Sequence, residues 1–310
     1  MFGASRYNYD HFRRELLEKD SAKSRFESAP EAGDRAPDFE LRALDGAKVH
    51  LSDFEGDRNV VLTFGSATCP FTAGSIAGLI ELSEEFTNDD IEFLFVYVRE
   101  AHPGEELPAH RSMEDKVRAA ELFRDEENIP FAILVDELAG KVHRKYGAMP
   151  NSTFLVDKSG RVAFRALATR PAVLGEAIEE LLERQQERGV EHAVVHGGED
   201  RTLPSLRSFV HAYRALERGG ESAIENFHEE MGLPGRVKLM GSRIAAPMAE
   251  HPKATIATAA AVFSVLGLGI WAGVALRRRR FENRDPYDYP KPAKRRASED
   301  EVDDYDAMGI

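Results

Sequence analysis

Apolar positions between residues 35 and 190 alternate between two spacings, one typical of strands and one typical of helices. Asn59–Phe64 and Ile91–Val98 are short runs rich in β-branched and aromatic residues, as expected for buried strands. Between them, Pro70–Phe86 has apolar residues three and four positions apart, which predicts a helix. The pattern therefore predicts a strand–helix–strand unit at the start of this zone.

The remainder of the zone predicts a charged helix, a third strand, a hairpin and a closing helix. Lys158–Gly160 has the composition of a tight hairpin turn, and Pro171 is suited to the first turn of a helix. These elements are predicted, in chain order, at Ser112–Glu127, Phe131–Asp136, Ser152–Asp157, Arg161–Ala166 and from Pro171 onward. The order is typical of a thioredoxin-like α/β fold, in which helices flank a central mixed sheet.

The sequence on either side of this zone has a different character. Residues 1–34 predict a short amphipathic helix with Tyr9, Phe12 and Leu16 on one stripe. Residues 191–253 are polar with short helical candidates, which predicts a helical stalk. The predicted organisation is an N-terminal helical segment, the α/β domain, the stalk, a transmembrane helix and a disordered charged tail, at 1–34, 35–190, 191–253, 254–276 and 277–310.

An uncharged apolar stretch near the C-terminal end predicts one membrane span. Residues Ala254–Leu276 would be about 35 Å long as a helix, enough to cover the hydrocarbon core of about 30 Å, so contact with membrane lipid is expected. The first twenty residues lack the apolar run of a secretory signal, so we expect a cytosolic α/β domain on a single-pass membrane protein. Arg277–Arg280 favours the opposite orientation.

Charge and cysteine content narrow the classes of function. The formal net charge of −13 argues against nucleic-acid binding, which requires a basic surface. The chain has one cysteine, so neither an intramolecular disulfide nor a cysteine-rich metal site can form. We expect no bound metal and no organic cofactor.

That cysteine, Cys69, lies where the first predicted strand passes into the first predicted helix. The free N–H groups and the dipole of a helix N-terminus stabilise a thiolate, which predicts a nucleophilic cysteine. Pro70 fits the first helical turn. Met149-Pro150 precedes the strand predicted at Ser152–Asp157, and its position favours a cis peptide bond facing the cysteine.

Several segments resemble known thioredoxin-like families. Gly33–Phe64 resembles the entry to the redoxin branch. FGSATCPF, FVYVREAHPGE, HRSMEDKVRAAELF and KYGAMPNSTFLVDKSGRV, in that order, resemble the iodothyronine deiodinase family. The resemblance runs from Gly33 to about Leu182, and the EAHP element after a strand is its most specific part.

The resemblance implies a role for several residues. Cys69 takes the place of the family's selenocysteine, and Ala67 that of its auxiliary cysteine, so an external thiol is the expected reductant. His102 is a candidate proton donor or thiolate partner, and Glu100 either holds that histidine or caps the loop. His110 is expected only to begin the next helix. The predicted substrate groove consists of Ser66, Thr68, Pro70, Thr72, Met149 and Pro150.

Two functions remain open at this point. The first is an oxidoreductase that uses Cys69 to reduce a small substrate: a halogenated aromatic, a peroxide or a mixed disulfide. Ser66 supplies the hydroxyl that peroxiredoxins place three residues before the cysteine, whereas Thr72 stands where a thioredoxin would have its second cysteine. The alternative is a non-catalytic, membrane-anchored binding or redox-sensing module. A buried thiol with an ordinary or raised pKa favours the alternative.

Overall fold

Among the residues that the computed structural model describes (7–15, 26–87, 90–202 and 211–250), eight strands form one mixed sheet. In chain order the strands are β1 Glu40–Ala43, β2 Lys48–His50, β3 Asn59–Gly65, β4 Ile91–Tyr97, β5 Ala132–Val135, β6 Thr153–Val156, β7 Val162–Ala166 and β8 Glu199–Asp200. Their order across the sheet is β2-β1-β5-β4-β3-β6-β7-β8. The central strands β3, β4 and β5 are parallel, whereas β6 is antiparallel to β3 and β7 is antiparallel to β6.

Helices connect the parallel strands and follow the hairpin. Their bounds are α1 Pro70–Glu85, α2 Met113–Glu127, α3 Lys141–Lys145, α4 Pro171–Arg188, α5 Ala212–Gly219 and α6 Glu221–Glu250. α1 joins β3 to β4, and α2 joins β4 to β5, so each makes a strand–helix–strand crossover. The Ser112 side chain caps α2 by accepting a hydrogen bond from the Asp115 N–H at 3.1 Å. Gly232 interrupts α6 with a φ of 61° and a ψ of −157°.

Alternate residues of the central strands are buried in two different apolar clusters. Val61 of β3 and Phe95 of β4 lie with the apolar faces of α1, α2 and α4. Their neighbours Leu62 and Leu94 lie with α3 and the chain before β1 on the other face. Both faces of the sheet are covered, which explains why β3 and β4 are continuous apolar runs in the sequence.

The predicted thioredoxin-like mixed-sheet α/β fold is confirmed. The strands at Asn59–Phe64 and Ile91–Val98 and the helices at Pro70–Phe86 and Ser112–Glu127 are present with ends shifted by at most one residue. The structure adds β1, β2, β8 and the five-residue helix α3, which the sequence pattern did not predict.

The N-terminal segment differs from the helix predicted for it. Residues 8–13 are not helical, and Leu16 lies outside the described residues. The Tyr9 hydroxyl instead donates to the Ala101 carbonyl at 2.8 Å, and the Phe12 ring contacts His102. These aromatic residues were predicted to share a helix stripe, but contacts with the α/β domain hold them along an irregular chain.

The cis peptide bond predicted at Met149-Pro150 is wrong, because that bond is trans. The chain reverses just before it, at Gly147 and Ala148, whose φ values are 86° and 52°. Left-handed backbone at these two residues turns the chain toward β6. The Met149 carbonyl is then held 2.7 Å from Nε2 of His143.

The segments after the α/β domain are described in part. Residues 191–202 and 211–250 of the predicted stalk supply β8, α5 and α6, within the same compact unit as the sheet. In the part of the chain that the structure describes, no helix has the length and apolar character needed to cross a membrane. The predicted span at 254–276 and the tail at 277–310 lie outside the described residues.

Candidate active site

Cys69 occupies the position predicted for it, at the N-cap of α1 directly after β3. Its φ of −86° and ψ of 116° are extended, and Pro70 follows as the first helical residue. The Cys69 N–H donates to the Ser66 carbonyl at 3.2 Å, which closes the short loop between strand and helix.

The surroundings of the Cys69 thiol have opposing effects on its pKa. Burial raises the pKa and is the largest effect, since the residue is only 1% exposed. The Thr72 hydroxyl and the N–H groups of Thr72 and Phe71 face the sulfur and lower the pKa, whereas the negative charge of Glu100 raises it. The net direction is upward. The predicted helix N–H groups are present. The prediction that they leave the thiol with a lowered pKa is wrong, because the burial of Cys69 outweighs them.

Glu100 fixes the residue that immediately precedes Cys69. Its Oε2 accepts hydrogen bonds from the Thr68 N–H at 3.0 Å and the Thr68 hydroxyl at 2.6 Å. Its Oε1 accepts a hydrogen bond from the Tyr97 hydroxyl at 2.5 Å. The Tyr97 oxygen in turn accepts from the Ala67 N–H at 3.2 Å, so two successive peptide groups of the Cys69 loop are held. Sequence reasoning did not assign a role to Tyr97, although it lies within the FVYVREAHPGE segment.

The histidine that Glu100 contacts is His110. Nε2 of His110 lies 3.3 Å from Oε1 of Glu100, and both side chains are almost fully buried. The expectation that His110 merely begins a helix is therefore wrong. Burial alone would raise the pKa of Glu100, but the contacts with His110, Thr68 and Tyr97 outweigh it and lower the pKa. Glu100 is thus an ionised carboxylate with its oxygens occupied by donors.

His102 lies beside this network in an apolar environment. Its backbone N–H donates to the Thr68 hydroxyl oxygen at 3.0 Å, which brings it next to the Cys69 loop. Its ring is 4.3 Å from the Phe12 ring and 5.5 Å from the Phe227 ring, between centroids. Burial lowers the pKa of His102 to about 3, although the charge of Glu100 opposes that shift. The imidazole is therefore neutral at physiological pH.

The residues predicted to line a substrate groove are close to Cys69 but mostly buried. Ser66, Thr68 and Thr72 are at most 1% exposed, Pro70 is buried in the first turn of α1, and Met149 belongs to the core. Pro150 is half-buried. The next residue, Asn151, reaches α1 by donating to the Thr72 hydroxyl at 3.3 Å. Among the described residues, no group of three His, Cys, Asp or Glu side chains is arranged to hold a metal ion.

A residue far along the chain also contacts the Cys69 loop. Arg218, near the end of α5, donates from Nη1 to the Ala67 carbonyl at 3.2 Å. Its guanidinium also pairs with Glu126 and Glu127 at the end of α2. No motif in the sequence links Arg218 to Cys69, because the contact depends on how α5 folds back onto the α/β domain.

The sheet order, the crossover helices and a cysteine capping α1 together define a thioredoxin-fold protein with a single candidate redox thiol. The model of the iodothyronine deiodinase family matches residues 14–185, more than half of the chain. The chain belongs to the iodothyronine deiodinase family.

Curated relatives agree with this assignment. Thyroxine 5-deiodinase from Homo sapiens is 31% identical over 152 residues, which cover 45% of this chain and 48% of the relative. Type II iodothyronine deiodinase from Bos taurus is 31% identical over 136 residues, which cover 39% of this chain and 50% of the relative. Type I iodothyronine deiodinase from Xenopus laevis is 29% identical over 150 residues, which cover 46% of this chain and 58% of the relative. The chain thus spans about half the length of the curated relatives it matches.

Similar solved structures include two bacterial proteins. The thioredoxin domain of the thiol-disulfide oxidoreductase BVU-2223 from Bacteroides vulgatus is 19% identical with a TM-score of 0.39, covering 49% of this chain and 97% of that one. The peroxidoxin BcpB from Mycobacterium tuberculosis is 19% identical with a TM-score of 0.36, and the match covers 51% of this chain and 98% of that one. At this level of similarity they carry no functional argument.

The low pKa of His102 predicts a specific pH dependence of stability. The folded protein binds the His102 proton only near pH 3, whereas the unfolded chain binds it near pH 6.5. The contribution of the neutral His102 to the free energy of unfolding is therefore fully present above about pH 6.5 and is lost as the pH falls toward 3. Between about pH 7 and pH 5, the free energy of unfolding of the wild type should fall by about 2 kcal/mol more than that of His102→Gln. Urea titrations of both proteins at the two pH values measure this difference, and an equal loss in both proteins would contradict it.

Proposed function

We propose that this protein is a single-cysteine oxidoreductase that reduces a small substrate through the Cys69 thiolate, with an external thiol as reductant. The observation that carries the proposal is Cys69 at the N-cap of α1 with Thr68 locked to Glu100, within a chain of the deiodinase family. The candidate substrates are a halogenated aromatic, a peroxide and a mixed disulfide. Membership of the deiodinase family favours the halogenated aromatic.

The proposed reaction uses two external thiols for each bond reduced. With an iodinated aromatic, the Cys69 thiolate takes the iodine while the aromatic carbon takes a proton from water, which leaves a sulfenyl iodide on Cys69. One external thiol displaces iodide and forms a mixed disulfide, and a second releases the Cys69 thiolate and an external disulfide. No second cysteine of the chain can resolve the sulfenyl iodide, because Ala67 stands where the family has its auxiliary cysteine.

Two of the buried polar atoms near the Cys69 loop are candidates to orient a substrate once it enters the site. Ser66 Oγ and His102 Nδ1 are among the buried side-chain atoms of the described residues that have no hydrogen-bond partner. Buried polar atoms are usually paired, so the absence of partners suggests that a ligand supplies them. In the proposal Ser66 and the neutral His102 orient the substrate, and Glu100 positions the Cys69 loop without contacting the substrate.

The alternative function is a non-catalytic binding or redox-sensing module. It is favoured by a specific observation, the 1% exposure of Cys69 together with its raised pKa. In this alternative the thioredoxin-like domain binds a partner and Cys69 is a buried core residue.

Turnover assays distinguish these two functions. The full chain in mild non-ionic detergent, supplied with dithiothreitol, should release iodide from an iodinated phenol, and Cys69→Ser should reduce the rate to the uncatalysed background because it removes the nucleophile. Hydrogen peroxide and a glutathionylated peptide test the other two substrate classes.

The matched control is Ser83→Ala, which removes a half-buried hydroxyl further along α1. It should leave turnover unchanged. A folded wild type that turns over none of the three substrates would overturn the oxidoreductase in favour of the binding module.

We also propose that the apolar stretch at 254–276 anchors the protein in a membrane, with the α/β domain in the cytosol.

The full chain should remain in the membrane pellet after alkaline carbonate extraction. Leu266→Arg with Leu268→Arg should release it, since each charge at the centre of a span costs about 2.5–3.5 kcal/mol. The exposed Met240→Arg is the control. Recovery of the wild type in the carbonate supernatant would contradict the anchor, and protease protection of the intact membranes reports its orientation.

A further inference from the structure

A helical segment beyond the family match lies against the Cys69 loop. It consists of α5 and the first turns of α6, residues 212–227, and we call it the cap. We propose that the cap gates the candidate active site, so that a substrate reaches Cys69 only when the cap moves off the loop. The inference extends the proposed function, from which it takes Cys69 as the reactive residue.

The cap is attached to the Cys69 loop by Arg218. The guanidinium is buried, with 5% of the side chain exposed, and it holds the Ala67 carbonyl from one side while Tyr97 holds the Ala67 N–H from the other. It also pairs with Glu126 at 2.7 Å and with Glu127. A buried charge with three acceptors is a strong local contact that is lost when the two parts separate.

The backbone of the next residue, Gly219, packs directly against the backbone of the site. Its carbonyl accepts a hydrogen bond from the Glu106 N–H at 3.1 Å. A Cβ atom at Gly219 would lie 2.6 Å from the carbonyl oxygen of His102 and 3.6 Å from Cγ2 of Thr68. Only glycine permits this contact, because there is no room for a side chain between residue 219 of the cap and the loop.

The loop after the EAHP element holds the start of α6. The carboxylate of Glu105 accepts hydrogen bonds from the backbone N–H groups of Glu221 at 2.6 Å and Ser222 at 3.0 Å. Hydrogen bonding from the Ser222 side chain, followed by backbone donors, lowers the pKa of Glu105 to about 2. An ionised carboxylate at a helix N-terminus is a favourable arrangement, and here it joins the cap to the loop of His102.

Further along α6, an aromatic ring of the cap covers His102. The Phe227 ring meets the His102 ring edge-on, and Phe12 contacts both rings from the N-terminal segment. His102 is only 5% exposed as a result. Residues of the cap thus contact both sides of the proposed site, the Cys69 loop and the histidine.

The cap has an apolar cluster of its own, which allows it to move as one body. Ala212 and Leu216 of α5 pack with Phe227 of the cap and with Leu239, which lies beyond the cap in α6, and this cluster is separate from the two clusters of the sheet. Its described contacts with the α/β domain are both polar, through Arg218 and Gly219, and aromatic, through Phe227. A unit with a separate apolar cluster can open below the global unfolding energy while the two clusters of the sheet stay packed.

Alkylation of Cys69 measures access to the site without requiring turnover, because the chain has one cysteine. Gly219→Ala places a methyl group against the His102 carbonyl and against Cβ of Ala223 within the cap, and should loosen the cap from the loop. In the full chain, the rate of iodoacetamide modification of Cys69 should rise about tenfold or more over wild type, following the larger open population. Arg218→Gln should have the same effect by removing the contacts with Ala67, Glu126 and Glu127.

Matched controls separate gating from general destabilisation. Gly241→Ala, where a Cβ would meet no atom within 4 Å, and Arg118→Gln, which breaks an exposed pair with Asp115, should alkylate at the wild-type rate. The wild-type rate should rise with urea more gradually than global unfolding followed by circular dichroism, since opening the cap exposes less surface.

Three outcomes would overturn the gate. One is a wild-type alkylation rate equal to that of an unstructured cysteine peptide, because the cap would then not close the site. Another is wild-type alkylation that occurs only through global unfolding, with the same urea dependence. The third is an unchanged rate in both Gly219→Ala and Arg218→Gln. If the gate is upheld while turnover fails, the cap covers a binding or sensing thiol rather than a catalytic one.

Discussion

The geometry of the candidate site depends on one buried carboxylate, that of Glu100. Moving an ionised carboxylate out of water is costly unless donors replace its hydration, and here Thr68, Tyr97 and His110 lie around it. These partners come from three places in the chain: the Cys69 loop, β4 and the approach to α2. Satisfying the carboxylate therefore fixes the Cys69 loop against the carboxyl end of the parallel sheet, and the cap then packs on a surface that is already set.

Much of this arrangement can be predicted from the sequence, and the limits have physical causes. β3, α1 and β4 are recognisable because both faces of the sheet are covered and the strands are continuous apolar runs. β2 is three residues long, with exposed or half-buried residues, so it has no such pattern. Cys69 follows from the change from strand to helix spacing, and Glu100 and His102 follow from the family resemblance. The pairing of Glu100 with His110 and the contact of Arg218 with Ala67 join residues that are distant in the chain, and local patterns do not encode such contacts. The trans bond at Pro150 reflects a reversal that Gly147 and Ala148 complete first.

The direction of the Cys69 pKa shift shows how a local rule can be outweighed by the surrounding fold. The helix N-terminus provides donors that favour the thiolate, as predicted, but burial disfavours any charge at that position. The cap and the N-terminal segment, which the sequence patterns assign to other roles, contribute to the covering around the site. In the proposed account, displacement of the cap returns solvent to the thiol while the N–H groups of α1 stay in place. The same cysteine would then be protonated when the site is closed and more acidic when it is open.

The coupling between Glu100 and Thr68 tests the central claim most directly. Urea unfolding of the wild type, Glu100→Gln, Thr68→Val and the double variant gives their interaction energy from a double-mutant cycle. If the carboxylate fixes the Cys69 loop through Thr68, the two substitutions should be non-additive by about 1–3 kcal/mol, since Thr68→Val removes the hydroxyl that donates to Glu100 and Glu100→Gln removes the charge of the acceptor in that same hydrogen bond. Additivity to within about 0.5 kcal/mol would show that Glu100 does not hold the loop, and the proposed basis of the site would be wrong.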